Sequence, residues 1–363
     1  MTTAPAPERA MTDLLAATAD LMATPSLSRQ EGELADAVHE VLHLCSWLIV
    51  ERVGDNVVAR TDRGRDQRLV LAGHLDTVPP NANARPRLEG DTVWGVGASD
   101  MKGGLAVMLD LASSMRTPRV DVTWCFYARE EIGREDSGLL ELWEQRPDLL
   151  AGDAAILGEP TNSVVEAGCQ GTLRVGLTLK GVRAHTARPF TGRNAIHRLA
   201  SLLQRVADWP PREVVLDGCT YAEQLQAVAV SGGVAGNVVP DEVQLTLNHR
   251  YAPDRGQAEA EAFLHDLLDP SLELGEGDTW ELLDAGDGAP PSLGHPLLKA
   301  LVEESGAEPR AKVGWTDVAS FWAHGVPAAN FGPGDPLLAH HPDERVTRAQ
   351  LERTRAVLEA LLA

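Results

Sequence analysis

The chain has 363 residues, longer than most single hydrophobic cores, so two domains are the default expectation. Its 44% hydrophobic content suits a globular protein with a sizeable core, and its net charge of −21 argues against nucleic acid or an anionic membrane surface as the main partner. No apolar run approaches the about 18 residues of a membrane span, and the N-terminus carries Glu8 and Asp13 in place of a basic stretch followed by an apolar one, so neither a span nor a signal peptide is expected.

In chain order, apolar residues at helical spacing (Met11, Leu14, Leu15, Leu21, Met22) predict a first helix ending near Ala23. Ser28-Arg29-Gln30-Glu31 has the form of a capping box, starting a second helix with Leu34, Val38, Val41 and Leu42 on one face. Strand-like runs follow at 47–50, 56–60 and 69–73. The third opens into Gly73-His74-Leu75-Asp76-Thr77-Val78-Pro79. Alternation along a strand puts His74 and Asp76 on the same side, where an imidazole can ligate a metal and a carboxylate can fix its orientation. A glycine-rich run, Gly95 to Gly104, precedes a helix from Leu105 to Met115. Val120 to Tyr127 is a strand running into Ala128-Arg129-Glu130-Glu131, and Ala154 to Leu157 another running into Gly158-Glu159-Pro160. Strands alternating with helices predict an α/β domain with a mainly parallel sheet flanked by helices, and ligands gather at the carboxyl ends of such strands.

The texture changes near residue 175. Leu173 to Lys180, Gln226 to Ser231 and Glu242 to Arg250 read as strands, and Asn194 to Ala207 and Ala258 to Leu268 as helices. That order predicts a compact α+β (ferredoxin-like) insertion, with the Gly-, Asp- and Pro-rich stretch 275–291 returning the chain to the first domain. From Leu293 the αβ pattern resumes, through 326–331 to a final helix from Thr347. The expected domains are therefore 1–175 with 289–363, and an inserted 176–288. Cys45, Cys125, Cys169 and Cys219 are scattered with no C-x-x-C pair, which fits reduced thiols in a cytoplasmic protein.

The residues with metal or acid–base chemistry are His74, Asp76, Asp100, Glu130, Glu131, Glu159 and one of His340 or His341. Imidazole nitrogens and carboxylate oxygens suit zinc, cobalt or manganese; two His and three carboxylates exceed one tetrahedral ion but suit two ions sharing a bridging carboxylate. Each residue has a plainer reading by itself: Asp100 as a helix cap, Glu130-Glu131 as a solvated strand end, Glu159 as a turn residue, 340–344 as a solvated loop. Jointly they make one ligand set at strand ends. The glycines of 95–104 do not make a nucleotide loop, because Asp100 stands where the third glycine of G-x-G-x-x-G belongs and would repel phosphate.

Gly73 to Pro79, Gly95 to Gly104, Glu130-Glu131-Ile132-Gly133, Gly158-Glu159-Pro160-Thr161 and His340 through Glu344 together resemble the M20 family of dimetal amidohydrolases and exopeptidases, in the family's order. The resemblance implies two divalent ions per subunit, zinc foremost, with His74 and Glu159 on one, Glu131 and His340 on the other, and Asp100 bridging. It implies Asp76 as the orienter of His74 and Glu130 as the general base. It also implies that the insertion pairs two subunits and that its histidine, His185 in Arg183-Ala184-His185-Thr186, reaches into the partner's site to stabilise the oxyanion. Within the family, 166–174, 181–189, 236–241 and 312–317 are most similar to the actinobacterial branch that removes succinate from N-succinyl-LL-2,6-diaminopimelate. Proteobacterial members of that branch differ at Cys169-Gln170 and at Gly314-Trp315-Thr316-Asp317, both stretches expected to line the pocket. A succinyl carboxylate invites an Arg fork, with Arg174 and Arg250 as candidates; Asn237 and Thr316 complete the expected substrate contacts. The nearest alternative is another family activity, such as acetylornithine deacetylation or carboxypeptidase action, and the more distant one a silent binding protein.

Overall fold

The computed structural model describes residues 13–363; Glu8 and Met11, used above, lie outside them. By their contacts these residues form two compact units. One takes the described residues up to Glu166 with Ser292–Pro309 and Ser320–Ala363; the other is Ala167–Pro291 with Arg310–Ala319. Residues 167–175, 289–291 and 310–319, grouped from the sequence with the outer segments, thus belong by contact to the second unit.

In chain order the strands used below are β1 (Ile49–Val53), β2 (Asn56–Arg60), β3 (Arg68–His74), β4 (Asp121–Tyr127), β5 (Ala154–Leu157), β6 (Gly171–Lys180), β7 (Gln224–Gly232), β8 (Glu242–Tyr251), β9 (Thr279–Gly286) and β10 (Ala328–Asn330). The helices are α1 (Leu14–Ala23), α2 (Gly32–His43), α3 (Gly103–Ser114), α4 (Ala195–Asp208), α5 (Gln257–Leu268), α6 (Pro296–Ser305) and α7 (Arg348–Leu362).

In the first unit six strands lie in the order β1-β2-β4-β3-β5-β10. The last four are mutually parallel, and the β1–β2 hairpin joins them antiparallel at one edge. Residues Leu69 to His74 of β3 are all buried, which explains an apolar run without alternation. Leu14, Leu34, Leu105, Leu111, Leu298 and Leu358 bring α1, α2, α3, α6 and α7 onto the same core as Trp124 and Phe126. Each such side chain contributes about 1.5–3 kcal/mol by leaving water. Register sets the functional edge: His74 pairs with Tyr127, and Ala72 faces Leu157. Three adjacent parallel strands therefore end at one level, and the segments carrying His74, Glu130-Glu131 and Glu159 leave from there.

Two details of the first unit depart from expectation. Helix α2 begins at Gly32, and Glu31 at its N-cap makes no side-chain capping bond, so Ser28–Glu31 is not a capping box. Leu34, Val38 and Leu42 are buried as expected, but Val41 is 44% exposed. No described helix is long and apolar enough to cross a membrane.

The second unit is a four-stranded antiparallel sheet, β7-β8-β6-β9, in the chain order β6-α4-β7-β8-α5-β9. Leu173, Val175, Leu177 and Leu179 of β6 share one face with Leu245 and Leu247 of β8 and pack on Leu199, Leu202 and Leu264 of α4 and α5. Strand β9 falls inside 275–291, which the sequence presents as a connector. Only Trp280 and Ala285 of β9 pack against that core, so its apolar pattern is too sparse to show against the flanking glycines and aspartates.

Candidate metal centre and active site

The segment after β3 is braced on both sides. Leu75 N–H donates to the Tyr127 carbonyl at 2.7 Å, and Thr77 N–H to the Ser26 carbonyl at 2.9 Å. Arg129 adopts φ 62°, left-handed for a residue with a side chain, and turns the chain out of β4. After that turn the Glu130 and Glu131 N–H groups donate to Asp76 Oδ1 and Oδ2, each at 3.0 Å. Ser28 Oγ donates to Asp76 Oδ2 at 2.7 Å, and Arg129 N–H to Glu31 Oε1 at 2.9 Å. The glycine pair that opens α3 serves packing: a Cβ on Gly104 would stand 2.4 Å from the Gly158 carbonyl oxygen. Lys102 is likewise no phosphate ligand. Its buried ammonium donates to the Leu21 and Thr24 carbonyls at 3.2 and 2.8 Å, where it complements the negative end of α1.

Donor atoms of His74, Asp100 and Glu131 all lie within 4.8 Å of one another. Asp100 faces two imidazoles: Oδ1 is 3.0 Å from His74 Nε2, and Oδ2 is 3.4 Å from His340 Nε2. His340 Nε2 is also 3.0 Å from Glu131 Oε1. Two donors on one tetrahedral ion with bonds of about 2.0–2.1 Å sit about 3.3 Å apart, so these spacings fit metal ligation. Glu159 is buried two residues beyond Leu157, level with His74 across the sheet, and is not one of the three clustered donors. His341, the other histidine of the pair, is turned to its own loop, 3.8 Å from Asp343.

The electrostatics also suit cations. The Asp100 and Glu131 carboxylates hold the His340 imidazole up at about 10. Burial opposes a charge on His74, but Asp100, Asp76 and Glu130 more than offset it and raise that imidazole well above its ordinary value. Burial likewise opposes the Asp100 charge, which His340 and His74 stabilise, so its carboxyl sits below the usual range. Burial pushes the Glu131 carboxyl up. Protons on the imidazoles compensate the carboxylates here, and divalent ions would displace them.

Asp76 is fully buried, and its relation to His74 differs from the simple carboxylate–imidazole pair expected. His74 Nδ1 lies 3.0 Å from the Asp76 backbone carbonyl and 3.6 Å from Oδ1. The carboxylate is occupied by the two glutamate peptides and Ser28. Three residues absent from the sequence-derived set join the site: Ser28, Glu31 and Glu344. Glu344 is buried, its Oε1 accepts from Ser99 and Asp100 N–H at 3.0 and 3.1 Å, and burial raises its carboxyl to about 7. Burial also raises the Glu31 carboxyl. The stretch His340 through Glu344, which ends on this residue, was the one available signal for Glu344; for Ser28 and Glu31 the cap-like spacing pointed elsewhere.

The remaining candidates belong to the second unit. His185 is exposed, and its Nδ1 accepts from Ala187 N–H at 3.0 Å, which leaves the ring proton of the neutral form on Nε2. The Asn237 carbonyl accepts from Thr186 N–H at 3.1 Å and ties down that loop. Arg174 lies opposite Asn248 on β8, and Arg250 stands two residues beyond Asn248, so both arginines point away from the helix-covered face. Arg174 is 3.6 Å from Asp284. Thr316 is buried, and its carbonyl accepts from Ala319 N–H.

Residues 70–363 match the model of peptidase family M20/M25/M40. A Mycobacterium tuberculosis protein provisionally named succinyl-diaminopimelate desuccinylase is 50% identical over 335 residues, 92% of this chain and 93% of that one. The succinyl-diaminopimelate desuccinylase of Corynebacterium glutamicum is 42% identical over 97% of this chain and 96% of its own length. Among solved structures, an aminopeptidase of Bacillus cereus superposes with a TM-score of 0.80 at 17% identity, covering 97% of this chain and 98% of that one, a likeness of fold. The match over most of the chain and these two relatives establish that the chain belongs to peptidase family M20/M25/M40.

Proposed function

We propose that this chain hydrolyses the amide of N-succinyl-LL-2,6-diaminopimelate to succinate and LL-2,6-diaminopimelate. The observation that carries the reaction class is the Asp100 carboxylate set between His74 and His340, with Glu131 completing the cluster. The choice of substrate rests on the names of the two relatives at 50% and 42% identity. His74 and Glu159 would hold one divalent ion, Glu131 and His340 the other, with Asp100 between them. Zinc is the first choice, and the same donors accept cobalt or manganese. Bound there, two such ions would supply Lewis acidity to a carbonyl and a water of lowered pKa.

The chain's own groups do the rest. Glu130, aimed by the bond from its N–H to Asp76, takes the proton of the attacking water and returns it to the departing amine. His185 offers its Nε2 proton to the developing oxyanion, and we assign that role in trans across a homodimer formed through the inserted unit. The dimer reading is supported by β7, an edge strand whose Val228 and Val230 are each 55% exposed. Arg250 and Arg174 compete for the succinyl carboxylate, with Asn237 and Thr316 shaping nearby loops. Four buried cysteines, none of them in a disulfide among the described residues, support a reducing, cytoplasmic setting.

Purified, zinc-loaded protein assayed with succinyl-diaminopimelate, acetylornithine and a dipeptide tests the reading. The first should be hydrolysed with by far the largest kcat/KM. A larger value for either of the others would replace this substrate while leaving the reaction class in place.

A further inference from the structure

The stretch Ser26–Glu31 lies along the end of β3 without contributing a donor to the metal cluster. Ser26 Oγ donates to the Leu75 carbonyl at 2.7 Å, Leu27 bridges to Thr77 in parallel register, and Ser28 Oγ reaches Asp76 at 2.7 Å. Three consecutive peptide N–H groups, those of Arg129, Glu130 and Glu131, each end on a carboxylate: Glu31 for the first and Asp76 for the next two. Both carboxylates are 0% exposed. Buried charge is costly, and Glu31 Oε2 makes no hydrogen bond among the described residues. Glu31 does not cap its helix either. The N–H groups of Glu31 itself and of Arg29 also favour its charge, and the Arg129 peptide is the partner it reaches across 98 positions of sequence.

We propose that Ser28 and Glu31 are positioning residues for the base and the neighbouring ligand. Glu31 pins the left-handed Arg129 peptide, and Ser28 locks the Asp76 carboxylate that grips the following two, so Glu130 and Glu131 diverge from a turn held at three successive points. The inference rests on reading Glu130 as the base and Glu131 as a ligand. Displacement of a reacting group by about 1 Å can cost 100-fold in rate, so a slack turn would be felt in turnover before substrate binding.

Ser28→Ala, Glu31→Ala and Glu31→Gln in the full-length protein test this, each assayed below its own unfolding temperature. The two alanine variants should lose about 10- to 100-fold in kcat with KM within about twofold, as for other residues that orient ligands. They should also yield Zn²⁺ to a competing chelator about tenfold more readily. Glu31→Gln should recover both properties, because its amide oxygen can still accept from Arg129 N–H. Wild-type kcat and Zn²⁺ affinity in both alanine variants would overturn the proposal, as would a Glu31→Gln protein as impaired as Glu31→Ala. If Glu31→Ala does not fold, Ser28→Ala decides by the same two readouts. If the wild-type protein fails to hydrolyse the succinyl substrate, the functional reading falls, and the chelator competition still decides this one.

Discussion

At the strand ends of the first unit, His74 and Asp76 are fully buried, and Asp100 is in contact with His74, His340 and the Glu344 carboxylate. In the second unit, His185 is exposed with one ring contact, and Arg174 is half exposed with a 3.6 Å ion pair. The first arrangement is held largely by the chain itself: the Asp76 carbonyl fixes His74 through Nδ1 and Glu344 fixes Asp100 through its N–H, so this part of the site is organised before anything binds. The second is unfinished, with a protonated ring nitrogen, an open sheet face and a bare edge strand. On the proposed reading, such groups gain a role when substrate or a second copy arrives.

The comparison can be broken first at its rigid end. Glu130→Gln should retain its metal yet lose about 10²–10⁴-fold in kcat, since an amide cannot take the water's proton. A variant turning over near the wild-type rate would remove Glu130 as the base.

The open end is tested by His185→Ala, expected to cost about 10²–10³-fold in kcat. Mixing it with Glu130→Ala sharpens the point. A heterodimer holds one site with both groups intact, so random re-pairing should restore roughly a quarter of wild-type activity. Confirmed subunit exchange without recovery would show that His185 does not act across the interface. Val228→Lys with Val230→Lys places charges on the exposed edge and should yield monomers by sedimentation, with turnover falling towards that of His185→Ala. A fully dimeric variant would move the interface off β7.

The smallest effect concerns stability within the second unit. His249 is buried beside Arg255, with Nδ1 on the Gln224 carbonyl, and burial lowers its pKa to about 4. Its folded value lies below the about 6.5 of an unfolded histidine, so the unfolded chain takes up the proton first as pH falls. Stability should therefore be intact above about pH 6.5 and decline by about 3 kcal/mol as pH falls to about 4. Denaturant unfolding of wild type and His249→Gln across that range checks it: the variant should lose less, and parallel curves would clear His249.

The placement of His74, Glu131 and Glu159 was legible because each follows an apolar run that is a buried strand. Parallel register then brings residues as distant as His74 and Glu131 to one edge. What stayed hidden was partnership. Ser28 and Glu31 have the spacing of a capping box, and the same two oxygens satisfy Asp76 and Arg129, 48 and 98 positions away. Local sequence cannot distinguish a cap from a long-range brace, because both use a Ser and a Glu three residues apart, the Ser hydroxyl here donating and the Glu carboxylate accepting. Strand β9 was hidden for the opposite reason, since an edge strand with two core contacts carries little apolar pattern. Asp76 stays beside His74, its carbonyl 3.0 Å and its carboxylate 3.6 Å from Nδ1, and composition could not show that the same carboxylate also accepts from the Glu130 and Glu131 N–H groups.

A site for two ions would have Asp100 between a His74 half and a His340 half. Counting Zn²⁺ per chain after exhaustive dialysis tests it most directly, for wild type, Glu159→Ala and His340→Ala. Wild type should hold two ions and each variant about one. One ion in the wild-type chain, or two retained by both variants, would contradict it.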